Sequence, residues 1–156
     1  MVSLDNDGNS TNLRNSTHVS ALLFSGDTHD LFLTDDSDDK LSLIQGLPDA
    51  AVVTILADTN TGVSGPIGVN ISSNGNLVVA NGKSANILVL DSSGTQIGTY
   101  PCLVPPTGLS RLNGNAVFLL NVISNNDPLW LFDGDTETPR VMFVPVDQVG
   151  SQDAGQ

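Results

Sequence analysis

Carboxylates dominate the residues of this chain that could do chemistry. Asp35-Asp36-Ser37-Asp38-Asp39 is the densest cluster. Calcium takes several carboxylate and carbonyl oxygens at once, so Asp35, Asp36, Asp38 and Asp39 are candidate cation ligands. Their spacing lacks the Asp-x-Asp-x-Asp-Gly register of a calcium loop, and a solvated hairpin turn is the plainer reading. Asp5-Asn6-Asp7-Gly8-Asn9 opens like such a loop, but Ser10 stands where Gly is needed and Ser16 where the bidentate Glu belongs. Calcium is therefore the one cofactor the sequence allows, and it specifies none.

Nucleophiles and bases are sparse. His18 and His29 are the only histidines, and no Ser-His-Asp order with an elbow motif surrounds them. Cys102 follows Pro101 with nothing nearby to lower its pKa, and it reads as a small buried residue. Trp130 sits inside Leu129-Trp130-Leu131-Phe132 and reads as packing rather than as an exposed ligand platform. Arg111 lies at the end of a predicted first strand, and His18 opens one. They are the candidate ligand-binding residues, and Arg111 is the better of the two. No residue is assigned a catalytic role.

The balance of charge narrows the partners. Seventeen acids face five bases, for a net charge of −12, and sixteen of the acids are Asp. A phosphate backbone needs clustered Lys and Arg. Here Arg14, Lys40, Lys83, Arg111 and Arg140 are scattered, which argues against nucleic acid. Docking on anionic membranes is disfavoured for the same reason. No run approaches the ~20 apolar residues of a membrane-spanning helix. One cysteine allows no intrachain disulfide. Met1 to Ser10 is polar and acidic, unlike a signal peptide. A periplasmic or secreted location would thus need a leader outside these residues.

These residues are carried by a triplicated element. Asp, Asn, Ser, Thr and Gly favour turns, and they interrupt every window of helical length, so an all-α fold is excluded. The first copy runs His18 to Phe24, a turn at Gly26-Asp27, then Leu31 to Thr34. The second runs Pro66 to Ile71, a turn at Asn74-Gly75, then Leu77 to Ala80. The third runs Pro106 to Leu112, a turn at Asn113-Gly114, then Ala116 to Leu120. Asn-Gly predicts a two-residue type I′ turn. A third strand follows in each copy, at Leu41–Ile44, Ile87–Leu90 and Leu129–Phe132. A fourth follows at Val52–Ala57, Gln96–Tyr100 and Val141–Val144. Third strands begin 46 and 42 residues apart, and the openings of the second strands at Asp30, Asn76 and Asn115 are 46 and 39 apart. A four-stranded propeller blade takes ~40–50 residues.

The second copy carries a family resemblance. Gly65-Pro66-Ile67-Gly68-Val69-Asn70, then Asn74 to Asn81, then Asn86 to Asp91 with Gly94 resembles an NHL repeat. That pattern is Pro-x-Gly, an apolar strand, a Gly-Asn turn, a strand ending in Ala-Asp, and an Asn-x-Ile strand. Asn81 replaces the usual Asp. The first copy has His18 and Val19 where Pro-x-Gly belongs, and the third has Pro106-Thr107-Gly108. The resemblance covers about Ser16 to Val146. It implies an all-β propeller segment of about three four-stranded antiparallel blades, near residues 16–61, 62–103 and 104–149. Residues 1–15 form a polar N-terminal segment and 150–156 a disordered tail.

A propeller places His18 and Arg111 toward a central channel. NHL-type propellers include enzymes, RNA binders and scaffolds. Gluconolactonase-type propellers hold a divalent metal at the channel with Glu, Asn and Asp. Here the only Glu, Glu137, falls in a turn after a third strand. Virginiamycin-type lyases need a His and Glu pair, which has no match in these residues. Propellers close with ~4–8 blades, so three leave two apolar end faces. The expected partners are further blades or a second copy, besides a protein or extracellular ligand. The composition, low in Lys and rich in Asn, Ser and Thr, is similar to that of secreted or periplasmic bacterial propellers. The leading expectation is a non-enzymatic interaction or structural module. The alternative is part of a metal-dependent lactonase- or lyase-type enzyme whose site lies largely in other blades.

Overall fold

The computed structural model describes residues 2–4, 10–12, 18–26, 28–47, 50–112, 117–121 and 129–142. The Asn113-Gly114 turn, residues 122–128 and the tail at 150–156 lie outside them. Three antiparallel sheets hold twelve strands in chain order. Sheet I contains β3 (Val19–Ser25), β4 (Asp30–Asp35), β5 (Lys40–Gln45) and β6 (Val52–Ala57). Sheet II contains β7 (Pro66–Ile71), β8 (Leu77–Asn81), β9 (Asn86–Leu90) and β10 (Gln96–Pro101). Sheet III contains β11 (Gly108–Arg111), β12 (Val117–Asn121), β13 (Leu129–Asp133) and β14 (Thr138–Met142). The fold is all-β, with each sheet a plain four-strand meander. Two short strands, β1 (Val2–Leu4) and β2 (Ser10–Asn12), pair with each other ahead of sheet I. The polar N-terminal segment thus contains a hairpin that its composition did not signal.

The first strands of the sheets lie side by side, β3 against β7 and β7 against β11. Gly68 in β7 is why the second of these contacts is close. A Cβ added there would sit 2.7 Å from the Cβ of Leu109 and 3.0 Å from its backbone nitrogen. The Gly of the Pro-x-Gly motif thus lets two inner strands touch, and Pro66 begins its strand, where a missing N–H costs no ladder bond.

Sheet II explains its own consecutive apolar residues. Leu77, Val79, Leu88 and Leu90 pack into one cluster with Phe32 and Leu41 of sheet I. Val78, Ala80, Ile87 and Val89 pack into another with Phe118, Leu120, Trp130 and Phe132 of sheet III. Alternate side chains point to opposite faces of a strand, so a strand covered on both sides needs apolar residues at every position. Trp130 is buried between the sheets, as its setting implied.

Local departures from the sequence reading have local causes. Asn74 does not take the positive φ that a type I′ turn requires; only Gly75 does, at 86°. Ser72 accepts from the Gly75 N–H at 3.1 Å and donates its own N–H to Asn76 at 2.8 Å. That is a tight turn followed by a left-handed glycine. The fourth strand of sheet III begins at Thr138 rather than Val141. The Asp133 carboxylate accepts from the N–H groups of Asp135 and Thr136, both at 3.1 Å, closing a short turn that starts the strand sooner.

The packing makes a graded prediction for urea unfolding. Leu88→Ala, fully buried between sheets I and II, is expected to cost about 2–5 kcal/mol. Ile97→Ala, on the outer strand and largely exposed, should stay within about 0.5 kcal/mol. Gly68→Ala should cost about 1–3 kcal/mol through overpacking against Leu109. Equal effects at Leu88 and Ile97 would mean that the faces of sheet II are not buried as described.

Candidate functional site

The inner strands run parallel, so their C-terminal ends converge. Between them lies a cleft of about 320 Å³ lined by Phe24 and Ser25 of β3, Asn70 and Ile71 of β7, Ser73 just beyond it, and Arg111 of β11. Three sheets therefore each contribute from the last residues of the strand that lines the axis. Arg111 supplies the positive charge, Asn70 an amide, the serines hydroxyls, and Phe24 an exposed ring. The cleft can offer hydrogen bonds and a cation to an acidic or acceptor-rich group. Among the described residues its lining contains no His, Cys, Asp or Glu.

The floor of the cleft is braced between sheets. Ser73 donates its N–H to Asp135 Oδ1 at 3.1 Å, and its hydroxyl donates to Asp135 Oδ2. Ser72 turns inward, bonding Asn74 and the Asn76 carbonyl. Asn70, Ser73 and Phe24 carry no sequence motif. The available signal was their place at the end of a first strand, which singled out Arg111 as well.

His18 does not join Arg111. It precedes β3, at the opposite end of the inner strands, and its Nδ1 lies 2.8 Å from Asp36 Oδ1 on an exposed surface. His29 takes a left-handed φ of 58° in the turn after β3 and meets the Phe24 ring edge-on at 6.2 Å.

The acidic run is divided among several tasks. Asp35 is fully buried, and its Oδ1 accepts from the N–H groups of Ser37 at 3.1 Å and Asp38 at 3.0 Å. Asp36 faces His18. Asp38 meets the Lys40 ammonium at 3.2 Å. Asp39, at φ 53°, reaches across to sheet II, accepting from Lys83 Nζ at 2.8 Å and from the Gly65 N–H at 2.5 Å. The turn aims successive side chains apart, and among the described residues no three His, Cys, Asp or Glu side chains converge as metal ligands would.

Asp39 and Tyr100, which each reach a neighbouring sheet, have shifted acidities. The hydrogen bond from Lys83, helped by the Gly65 N–H, holds the Asp39 carboxyl below its usual 3.8. Tyr100, on the last strand of sheet II, donates its hydroxyl at 2.5 Å to Glu137 in the last turn of sheet III. That carboxylate pushes the phenol up to about 12, with burial adding to the effect. Burial alone raises the Cys102 thiol, whose N–H bonds the Ala85 carbonyl at 2.8 Å.

No family model matches the chain, and no curated protein matches it. Solved structures do. Virginiamycin B lyase from Staphylococcus aureus superposes with a TM-score of 0.67 at 16% identity, over 92% of this chain and 48% of that one. The WD40 repeats of RRP9 superpose with 0.65 at 16%, over 85% and 41%. A gluconolactonase from Xanthomonas campestris superposes with 0.58 at 19%, over 74% and 38%. These are β-propeller-type proteins, and the likeness gives this chain a propeller fold whose sheets are its blades. The chain spans less than half the length of each.

Asp39 and Tyr100 both tie blades together, so they predict opposite pH limits. Asp39 has its native pKa depressed, so its contribution is present above 3.8 and is lost as pH falls through the native value. Tyr100 has its native pKa raised, so its contribution is full below 10.0 and is lost as pH climbs toward about 12. Melting curves should show Asp39→Asn flattening the acid limb and Tyr100→Phe flattening the alkaline limb. As Tyr100 is the only tyrosine, phenolate absorbance reads its titration directly. A midpoint near 10 in the folded protein would mean that the bond to Glu137 does not form.

Proposed function

We propose that this chain is a non-catalytic propeller module of NHL type that binds a partner at the axial cleft. The observation that carries the reading is the convergence of Arg111, Asn70, Ser73 and Phe24 from three separate blades on one cleft of about 320 Å³. The volume suits a small ligand or a single protruding side chain. The lining favours an acidic group beside a flat or apolar one, presented by a protein or an extracellular ligand. The NHL assignment rests on Gly65-Pro66-Ile67-Gly68 and Asn74 to Asn81. Gly68 supports it, because at that motif position β7 comes so near Leu109 of β11 that a Cβ would not fit.

A second reading is favoured by the names of two structural neighbours, a lyase and a gluconolactonase. Under it the chain is part of a metal-dependent enzyme completed by other blades.

Benzoate, which pairs a carboxylate with a ring, is the probe for the first reading. Titrated into isotope-labelled protein, it should shift the resonances of Asn70, Ser73 and Phe24, and Arg111→Gln should weaken it about tenfold or more, the worth of a charged hydrogen bond. Shifts elsewhere, or indifference to Arg111→Gln, would reject the cleft. Melting with Ca²⁺, Mg²⁺ or Zn²⁺ separates the two readings. The binding module predicts no shift, whereas a rise that chelator reverses would favour the metal-dependent enzyme.

A further inference from the structure

The outward face of sheet I, turned away from sheet II, is unevenly covered. Leu33 and Ile44 on its central strands are fully buried, whereas Leu22 and Phe24 on β3 are 55% and 57% exposed. Sheet II shows the same positions when another blade covers them. Val69 stands opposite Val79 as Leu22 stands opposite Leu33. Val79 and Leu33 each lie two residues before the pair that closes the next turn, Asn81 with Asn86 and Asp35 with Lys40. Val69 is only 5% exposed. A neighbour is therefore missing along the innermost strand of sheet I.

The N-terminal hairpin closes with the same first pair as the outer half of sheet II, although β10 bulges after that pair and β2 does not. Leu4 pairs with Ser10 as Leu90 pairs with Gln96. Val2-Ser3-Leu4-Asp5-Asn6-Asp7-Gly8-Asn9-Ser10 also runs parallel in type to Leu88-Val89-Leu90-Asp91-Ser92-Ser93-Gly94-Thr95-Gln96. Each is a strand ending in Leu, followed in sequence by Asp, two polar residues, Gly and one polar residue before the returning strand. Leu4 precedes Ile44 by 40 residues, and Ile44 precedes Leu90 by 46, so the hairpin also falls at the repeat spacing.

We infer that residues 2–12 are the third and fourth strands of a fourth blade, packed on the outward face of sheet I. The bare stretch of β3 at Leu22 and Phe24 seats that blade's first and second strands, an antiparallel pair of this same repeat with apolar residues at consecutive positions. An outer hairpin alone reaches the central strands of its neighbour and leaves the innermost one open, which is the exposure observed. Phe24 also borders the axial cleft, so Leu22, which does not, carries the inference independently of that reading.

Completing the blade tests it. A copy of residues 64–87, which carries β7, β8 and the turn into β9, is joined to Val2 in place of Met1. This keeps the repeat in register, because Val2 follows as Leu88 does. The chimera should melt several degrees higher, bind less of a hydrophobic dye, and slow amide exchange at Leu22 to Phe24 by on the order of tenfold. A folded chimera with unchanged melting and exchange would overturn the inference. The unmodified sequence gives a second measurement that needs no new fold. With Cys102→Ser and a nitroxide on Ser3→Cys, the methyl signals of Leu33 and Ile44 should broaden while those of Ile87 and Val89 stay sharp. Equal intensities across the two pairs would also overturn it.

Discussion

A strand that is apolar at every position has to be covered on both faces. Almost everything in this molecule follows from that constraint. β8 and β9 present one set of side chains to sheet I and the alternate set to sheet III. Neither neighbour suffices alone, since either one would leave Val or Leu side chains in water at about 25 cal/mol for each Å² exposed. The stacking in turn draws the inner strands together, which is possible because Gly68 lets β7 approach β11. The cleft at their ends is a consequence of this convergence. Its chemistry belongs to whichever residues happen to end the inner strands.

Polar links between blades sit at the two rims, where the apolar faces run out. At one rim Asp39 bridges to Lys83 and Gly65, and the Lys83 stem lies over Gly65, where a Cβ would be only 2.5 Å from it. At the other, Ser73 meets Asp135, and Tyr100 on the outer strand meets Glu137. Exposed ion pairs contribute little on average, about 0–1 kcal/mol. Their role here is better understood as fixing the angle and slide of one sheet on another, which apolar packing alone leaves loose.

Much of the architecture was legible because it depends on composition at fixed spacing. The central strands were found nearly to the residue, since consecutive Val, Leu and Ile between turn formers fit little besides a strand covered on both faces. Turn geometry was less legible. Asn74-Gly75 signals a hairpin, but its type depends on which residues take positive φ, and only the glycine does. In the third blade Gly108 stands opposite Asn121, whereas Gly68 stands opposite Ala80. Asn121 thus takes the place of Ala80, two residues later than aligning Asn115 with Asn76 implies. A shift of two keeps every side chain on its face, so the hydrophobic pattern could not reveal it. β1 and β2 were missed because three-residue strands are too short to show alternation, and their likeness to the end of β9 and the start of β10 emerges only once that hairpin is placed. At the candidate site, Arg111 was singled out from strand position alone, and it lines the cleft. The acidic run looks like one feature in the sequence, whereas the turn gives its carboxylates separate partners.

The end of the second strand shows how a departure from the repeat can be required rather than tolerated. In sheet I that place holds Asp35, a buried carboxylate that accepts from the N–H groups of its own turn. In sheet II it holds Asn81, also fully buried. Asn81 accepts from the Ser64 N–H at 3.0 Å, and it also donates from Nδ2 to the Gly62 carbonyl and to Asn86 Oδ1, both at 2.9 Å. A carboxylate has no proton to donate. Asp at this position would face two acceptor oxygens in a dry setting, where an unpaired charge is costly. Gly62 and Ser64 belong to the segment that carries the chain from sheet I to sheet II, after the short turn at Thr59–Thr61. The amide thus ties that connection to the sheet it enters. The residue that weakens the family resemblance is the one the local hydrogen bonding demands.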